Sequence, residues 1–191
     1  MKVFALSGLT ECGKYTAARY LEQFGVTPHK IDHLLRAVQD RTGNTEPFQA
    51  WNFRLEHERP DWLFSSLHDE ILAATSRTGL QACSIESLYG PVLPRFLARI
   101  MGSDFVVVYV DASYEVRLQR QLSHHDSNSL DEARKTLEQK DDFKRARGNL
   151  EVRAMADEIL DNSGTLAAFQ QQLLEMLVRH RIPVIAPKSG S

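Results

Sequence analysis

Near its start the chain reads Gly8-Leu9-Thr10-Glu11-Cys12-Gly13-Lys14. Two glycines are separated by four residues and a lysine follows, which is the spacing of a phosphate-binding loop. Glycines permit a turn tight enough for successive backbone N–H groups to point at phosphate oxygens. The lysine can reach the terminal phosphates of a nucleotide and balance their charge during transfer. This spacing predicts an ATP site.

The segments on either side of the loop favour this prediction over a chance turn. Residues 3–7 form a short apolar run that ends at Gly8, and such a run predicts a buried strand. One helix face is predicted from apolar residues spaced three and four apart, at Ala17, Tyr20, Leu21 and Phe24. A strand, a glycine loop and a helix in this order are the context of a phosphate loop, because the helix N-terminus is positive.

The pattern breaks after the lysine, because Tyr15 stands where serine or threonine would hold Mg²⁺. We expect Thr16 to contact the α-phosphate and the Tyr15 ring to pack against a neighbouring helix. We also expect the Glu11 side chain to face solvent and Cys12 to act as a small packing residue. The predicted ATP contacts in this segment are Gly8, Glu11, Cys12, Gly13, Lys14, Tyr15 and Thr16.

Strands and helices alternate along the rest of the chain. Further strands are predicted at 80–85, 105–110 and 158–160, and helices over most of 34–76 and at 94–100, 115–122 and 165–180. The run at 105–110 is apolar and β-branched throughout, which is typical of a parallel strand covered on both faces. This alternation predicts an α/β fold, a three-layer parallel sheet with helices on both faces. Residues 183–191 are expected to fray.

Composition limits the class of protein. The 191 residues are 42% apolar and 25% charged, which indicates one globular domain over 1–191 and excludes a disordered or collagen-like chain. Lysine and arginine number 23 against 25 acidic residues, so no basic field favours nucleic acid or anionic lipid. The N-terminal apolar run is too short for a signal peptide or a membrane span, and two cysteines make no disulfide framework. We therefore predict a cytoplasmic protein.

Three segments give the chain a family resemblance, at 6–21, 31–36 (Ile-Asp-His-Leu-Leu-Arg) and 156–166 (Ala-Asp-Glu-Ile-Leu-Asp-Asn-Ser-Gly-Thr-Leu). They resemble the P-loop nucleotide kinases, dephospho-coenzyme A kinase in particular, in the same order and over most of the chain. The resemblance implies the P-loop kinase fold, with an acceptor-binding flap at about 36–76 and a lid at about 123–155. It also implies ATP as co-substrate, Mg²⁺ as cofactor and Asn162 near the adenine.

Two carboxylates are candidates for the reaction centre. Asp32 is predicted to be the base, because transfer to a hydroxyl needs a proton acceptor and strand ends border the ligand crevice of α/β folds. The alternative is that Asp32 caps the following helix. Glu86 follows a predicted strand and is expected to hold Mg²⁺, directly or through water. Helix capping and acceptor binding are alternatives for Glu86.

Cations lie before and within the polar lid segment, at Arg120, Lys140, Lys144, Arg145, Arg147 and Arg153. We predict that Arg120 acts in catalysis with Lys14 and that Arg147 binds ATP from the lid. The alternative is a solvated helix of alternating charges. The predicted acceptor contacts in the flap are Arg36, Trp51, Arg54 and, after the next strand, Glu86, although flap aromatics are often core residues.

These observations predict an ATP-dependent small-molecule kinase that requires Mg²⁺. It would transfer the γ-phosphate to a hydroxyl or phosphate of a nucleotide-like metabolite, of the nucleoside, nucleotide or dephospho-coenzyme A type. The alternative is a catalytically impaired nucleotide-binding regulatory module, for which Tyr15 is the main support. The predicted partners are ATP and the acceptor, without a membrane. Nucleic acid is disfavoured by the acidic balance, and a homodimer is left open.

Overall fold

A computed structural model describes residues 1–124 and 129–184. Its centre is a parallel sheet of five strands within these residues, in the order β2-β3-β1-β4-β5. The strands are β1 (Lys2–Ser7), β2 (Val26–Lys30), β3 (Ala82–Leu88), β4 (Phe105–Asp111) and β5 (Glu158–Asp161). The phosphate loop follows β1, the central strand. The C-terminal edge of the sheet therefore holds the predicted nucleotide site.

The helices connect successive strands and cover both faces of the sheet. They are α1 (Lys14–Glu22), α2 (Ile31–Arg41), α3 (Phe48–Glu58), α4 (Pro60–Ser76), α5 (Val92–Met101), α6 (Tyr114–His124), α7 (Leu130–Ala146), α8 (Asn149–Ala154) and α9 (Leu166–Arg179). Side chains of β1 alternate between two cores, as the period of a strand requires. Val3 and Ala5 pack with helices α2 to α5, whereas Phe4 and Leu6 pack with α1 and α9. The predicted three-layer α/β fold is confirmed.

The apolar pattern does not predict β2, whose residues are Val-Thr-Pro-His-Lys. Only Val26 is fully buried, and the strand pairs with β3 alone at the edge of the sheet. An edge strand needs few apolar residues, and proline is tolerated there because one row of N–H groups has no partner strand. Position in the sheet, rather than local propensity, therefore makes this segment a strand.

The predicted flap contains α3 and α4, which pack on α2 beside the sheet. Glu70 on α4 is buried and bonds with both Arg41 and Arg77, so its charge is paired. The predicted lid contains α7 and α8, and residues 125–128 of it lie outside the described residues, as do 185–191 of the predicted tail. None of the helices described here is long and apolar enough to cross a membrane.

Candidate active site

The phosphate loop has the backbone that its glycines predict. Gly8 and Gly13 have φ angles of 139° and 104°, which L side chains rarely adopt. A Cβ at Gly8 would lie 2.3 Å from the carbonyl oxygen of Val110, and one at Gly13 would lie 2.1 Å from Asn162 Nδ2. Both positions therefore require glycine for conformation and for space. Glu11 also has a positive φ, of 58°.

Arg120 and Asn162 hold the loop by its carbonyl groups. Arg120 donates from Nη1 to the Glu11 carbonyl at 3.1 Å and from Nη2 to the Asn162 carbonyl at 2.8 Å. Asn162 Nδ2 donates to the Cys12 carbonyl at 2.8 Å. Arg120, predicted to be catalytic, and Asn162, predicted to contact ATP, thus both bond to the loop itself. Arg120 also lines a surface cavity of about 350 Å³ on α6, beside this edge of the loop.

The Lys14 ammonium lies against its own loop. Nζ donates to the carbonyl oxygens of Gly8 and Leu9 at 3.0 and 2.9 Å and lies 3.3 Å from Cys12 Sγ. Cys12 is buried, as expected for a packing residue. The ammonium is therefore held at the glycine loop, and its contact with phosphates stays a prediction.

A buried ion pair that the sequence pattern does not predict joins the lid to the loop. Arg117 on α6 and Asp141 on α7 are 4% and 1% exposed, and Nη1 lies 2.5 Å from Oδ2. The other Asp141 oxygen accepts the Thr10 N–H at 2.9 Å, and Arg117 donates to the Thr10 carbonyl at 3.1 Å. The alternative of a solvated helix with alternating charges included Asp141, which is instead buried. Ala133, Leu137 and Asp141 follow one another at intervals of four residues and are all buried. This helical spacing is the sequence signal that could have indicated that Asp141 is buried.

Lys144 is the lid cation that faces the phosphate loop. Burial, and to a smaller extent the nearby Lys14 ammonium, lower the pKa of Lys144 to about 8. Lys144 lines a cavity of about 440 Å³ with Thr10, Tyr89 and Phe143, which we call the phosphate cavity. Five of the candidate cations lie within the predicted lid, Lys144 among them, and the sequence favours Arg147. Lys140 also lines this cavity and lies four residues before Lys144. Residues four apart share one face of a helix, so this spacing could have indicated that the two lysines lie together.

Arg147 lies on the other side of Phe143. Its guanidinium stacks 4.4 Å from the centre of that ring, and it lines a second cavity of about 460 Å³. This acceptor cavity is enclosed by α2, α3, α4, the end of β3 and the start of α5. Tyr89 lines both cavities, so they meet at this side chain. The role of Arg147 in ATP binding stays a prediction, and its position is beside the acceptor cavity.

Asp32 lines the acceptor cavity from the first turn of α2. It is exposed, and among the described residues no side chain caps this helix. The alternative in which Asp32 serves as a helix cap therefore has no support in the contacts of α2. The Asp32 side chain borders the cavity, and its role as the base stays a prediction.

The flap residues chosen from the sequence do not form the walls of this cavity. Trp51 is 2% exposed and belongs to the core, so we correct its prediction as a stacking surface. The guanidinium of Arg36 lies 4.1 Å from the Phe48 ring centre, and Arg54 is paired with Glu46. Trp51 packs into the core, whereas Phe53, two residues further along α3, lines the cavity.

Glu86 lies two residues before the end of β3, near Lys30 and Lys14. It is 9% exposed and stands in register with Lys30 of β2. Burial raises the pKa of Glu86, although Lys30 and Lys14 act in the opposite direction. Glu86 and Tyr15 both line a groove of about 260 Å³. The Tyr15 side chain is 63% exposed, so the prediction that its ring packs against a helix is wrong. The helix turns Tyr15 outward, away from the sheet.

These residues fit a magnesium ion that arrives with ATP. No group of three or more His, Cys, Asp or Glu side chains in the described parts of the chain could hold a metal alone. Mg²⁺ is commonly held by one or two carboxylates together with substrate phosphates and water. Glu86 is a carboxylate placed beside the loop for such a site, whereas the exposed Tyr15 is not a ligand of this kind.

No protein-family model and no curated protein matches this chain. Solved structures do share its fold. An uncharacterized protein from Eubacterium ventriosum aligns with a TM-score of 0.60 at 8% identity, over 94% of this chain and 98% of that chain. A protein from Thermus thermophilus aligns with a TM-score of 0.53 at 20% identity, over 93% and 96%. A shikimate kinase from Acinetobacter baumannii, solved with shikimate, aligns with a TM-score of 0.50 at 19% identity, over 96% of both chains. The chain has the fold of the P-loop kinases.

Proposed function

We propose that this protein is an ATP-dependent phosphotransferase that acts on a small molecule. The observation that carries the proposal is the pair of cavities that meet at Tyr89. The phosphate cavity adjoins the loop and contains Lys144, and the acceptor cavity contains Asp32. A donor site and an acceptor site on either side of one residue are what direct transfer between two substrates requires.

The side chains supply charge and a proton acceptor. Lys14 and Lys144 would hold the β- and γ-phosphates, where positive charge stabilises the transition state. The acceptor hydroxyl would lose its proton to Asp32 as its oxygen bonds to the γ-phosphorus and the bond from that phosphorus to ADP breaks. Glu86 would hold the magnesium ion, which supplies further positive charge to the phosphates when it is bound.

The experiment measures ADP release in the presence of Mg²⁺ with a panel of nucleosides, nucleotides and dephospho-coenzyme A. The panel also tests the narrower predictions, a nucleotide-like acceptor and a likeness to dephospho-coenzyme A kinase. ATP should raise the melting temperature of the wild type, because a ligand that binds only the folded state stabilises it. Lys14→Ala should remove most of that shift.

Asp32→Asn separates catalysis from binding. Turnover should fall by at least ~10²-fold while the ATP-dependent melting shift persists, because the substitution keeps the shape and removes the base. Asp40→Asn is the matched control, since Asp40 is exposed on the same helix outside the acceptor cavity. Unchanged turnover in Asp32→Asn would refute the role of Asp32. A wild type that binds ATP and transfers to no compound would instead indicate the regulatory module.

A further inference from the structure

The charges around the acceptor cavity bear on what it can bind. Its walls carry the carboxylates of Asp32 and Glu56 and the guanidinium of Arg147. A phosphate monoester brings about two negative charges and is normally met by several arginine or lysine donors. Here negative groups outnumber the fixed cation on the walls, and that cation is stacked on Phe143. The cavity therefore opposes a phosphorylated acceptor.

Hydrogen-bond acceptors also exceed donors on the α3 wall. The Asn52 amide nitrogen donates to Glu56 Oε1 at 2.9 Å, and its Oδ1 is buried with no partner among the described residues. His57 Nδ1 lies 2.7 Å from the Phe53 carbonyl, which can only accept, so Nδ1 carries the proton. In the neutral ring Nε2 is then an acceptor. A ligand that donates O–H or N–H groups would satisfy this wall.

Aromatic surface borders the same wall. Phe53 lines the cavity although 60% of its surface is exposed, and Phe64 lines it from α4 while 7% exposed. An exposed phenylalanine ring offers a face for stacking, and burial of that face favours a flat apolar group in the ligand. The cavity thus combines a stacking surface with unsatisfied acceptors and net negative walls.

We infer that the acceptor is an uncharged or cationic hydroxylated ring compound, of the nucleoside kind, and that its phosphorylated counterparts are rejected. The inference rests on the proposed function for the transfer step and on the cavity walls for the choice of ligand. The sequence does not distinguish nucleosides, nucleotides and dephospho-coenzyme A as acceptors. The inference selects nucleosides, because the other two carry phosphate groups.

Binding is measured first, so that the result does not depend on turnover. Calorimetry in the presence of ADP and Mg²⁺ would compare adenosine, guanosine, cytidine, uridine and thymidine with their 5′-monophosphates, together with dephospho-coenzyme A. At least one nucleoside should bind, with a Kd at least ~10-fold below that of its monophosphate, because like charges in a partly desolvated site repel. Tighter or equal binding of the monophosphates, or no binding by any nucleoside, would overturn the inference.

Glu56→Lys tests whether the walls cause the selection. It changes the cavity charge by two units and should move the ratio of the two Kd values toward the monophosphate by ~10-fold or more. Glu58→Lys is the control, since Glu58 lies two residues away on α3 outside the cavity and is exposed. An equal ratio of nucleoside Kd to monophosphate Kd in Glu56→Lys and Glu58→Lys would refute the claim that the charge of the cavity walls causes the selection.

The two proposals fail in different ways. Selective nucleoside binding without ADP release would retain the class of ligand that the cavity binds and remove the proposed phosphotransferase activity. ADP release that is faster with monophosphates than with nucleosides would retain the kinase and remove the acceptor class. Asn52→Leu adds an independent readout, because it deletes the unsatisfied oxygen and should raise the nucleoside Kd while leaving the Kd for ATP unchanged.

Discussion

Substitution of Asp141 by asparagine should lower the free energy of unfolding by more than substitutions at exposed positions of the lid do. Asp141 and Arg117 are 1% and 4% exposed, so Asp141→Asn leaves a buried guanidinium without its counter-charge. One Asn oxygen would have to serve both Thr10 N–H and Arg117, and the amide nitrogen would oppose one of these donors. Removing one partner of a buried pair costs about 3–5 kcal/mol. We expect a loss of this size in the free energy of unfolding.

Urea unfolding of the wild type and of Asp142→Asn provides the comparison. Asp142 is the next residue, its side chain is 74% exposed, and it pairs with Arg145 at the surface, where a pair contributes about 0–1 kcal/mol. The double variant Arg117→Met with Asp141→Leu should recover only part of the loss, because an apolar pair removes the unpaired charge but leaves the Thr10 N–H and carbonyl without these partners. A loss below about 1 kcal/mol in Asp141→Asn, equal to that of Asp142→Asn, would refute the reasoning.

Two further predictions concern the loop. Raising the pH through about 8 should remove the Lys144 ammonium from the free protein, so ATP affinity should fall by up to ~10-fold per pH unit above that value. Calorimetry should show a weaker pH dependence in Lys144→Met but not in the exposed control Lys135→Met, and parallel curves would contradict the assignment. Tyr15→Ser should change the melting temperature little, because Tyr15 is 63% exposed, and should tighten the Mg²⁺ requirement of turnover if a short hydroxyl there becomes a ligand. Tyr109→Phe, which removes a hydroxyl bonded to buried Asn149, should cost about 1–3 kcal/mol in the same melting assay, and a larger loss from Tyr15→Ser would refute this comparison.

The amino-acid sequence alone predicts four of the five strands described here and the glycine loop that follows β1. Gly8, Gly13 and Lys14 are local signals, because a tight turn and a charge close to phosphate depend on residues adjacent in the chain. The apolar runs of β1 and β4 likewise follow from burial on both faces of a parallel sheet. These features needed no knowledge of distant contacts.

The tertiary structure decided which side chains face each cavity. Trp51 turned inward while Phe53 lined the cavity, since two positions on one helix point to different faces and only packing fixes which face is buried. Asp141 became buried because Arg117, 24 residues earlier, and the Thr10 backbone, 131 residues earlier, satisfy its two oxygens. A charge can be buried only where such partners converge, and their convergence is a property of the folded chain.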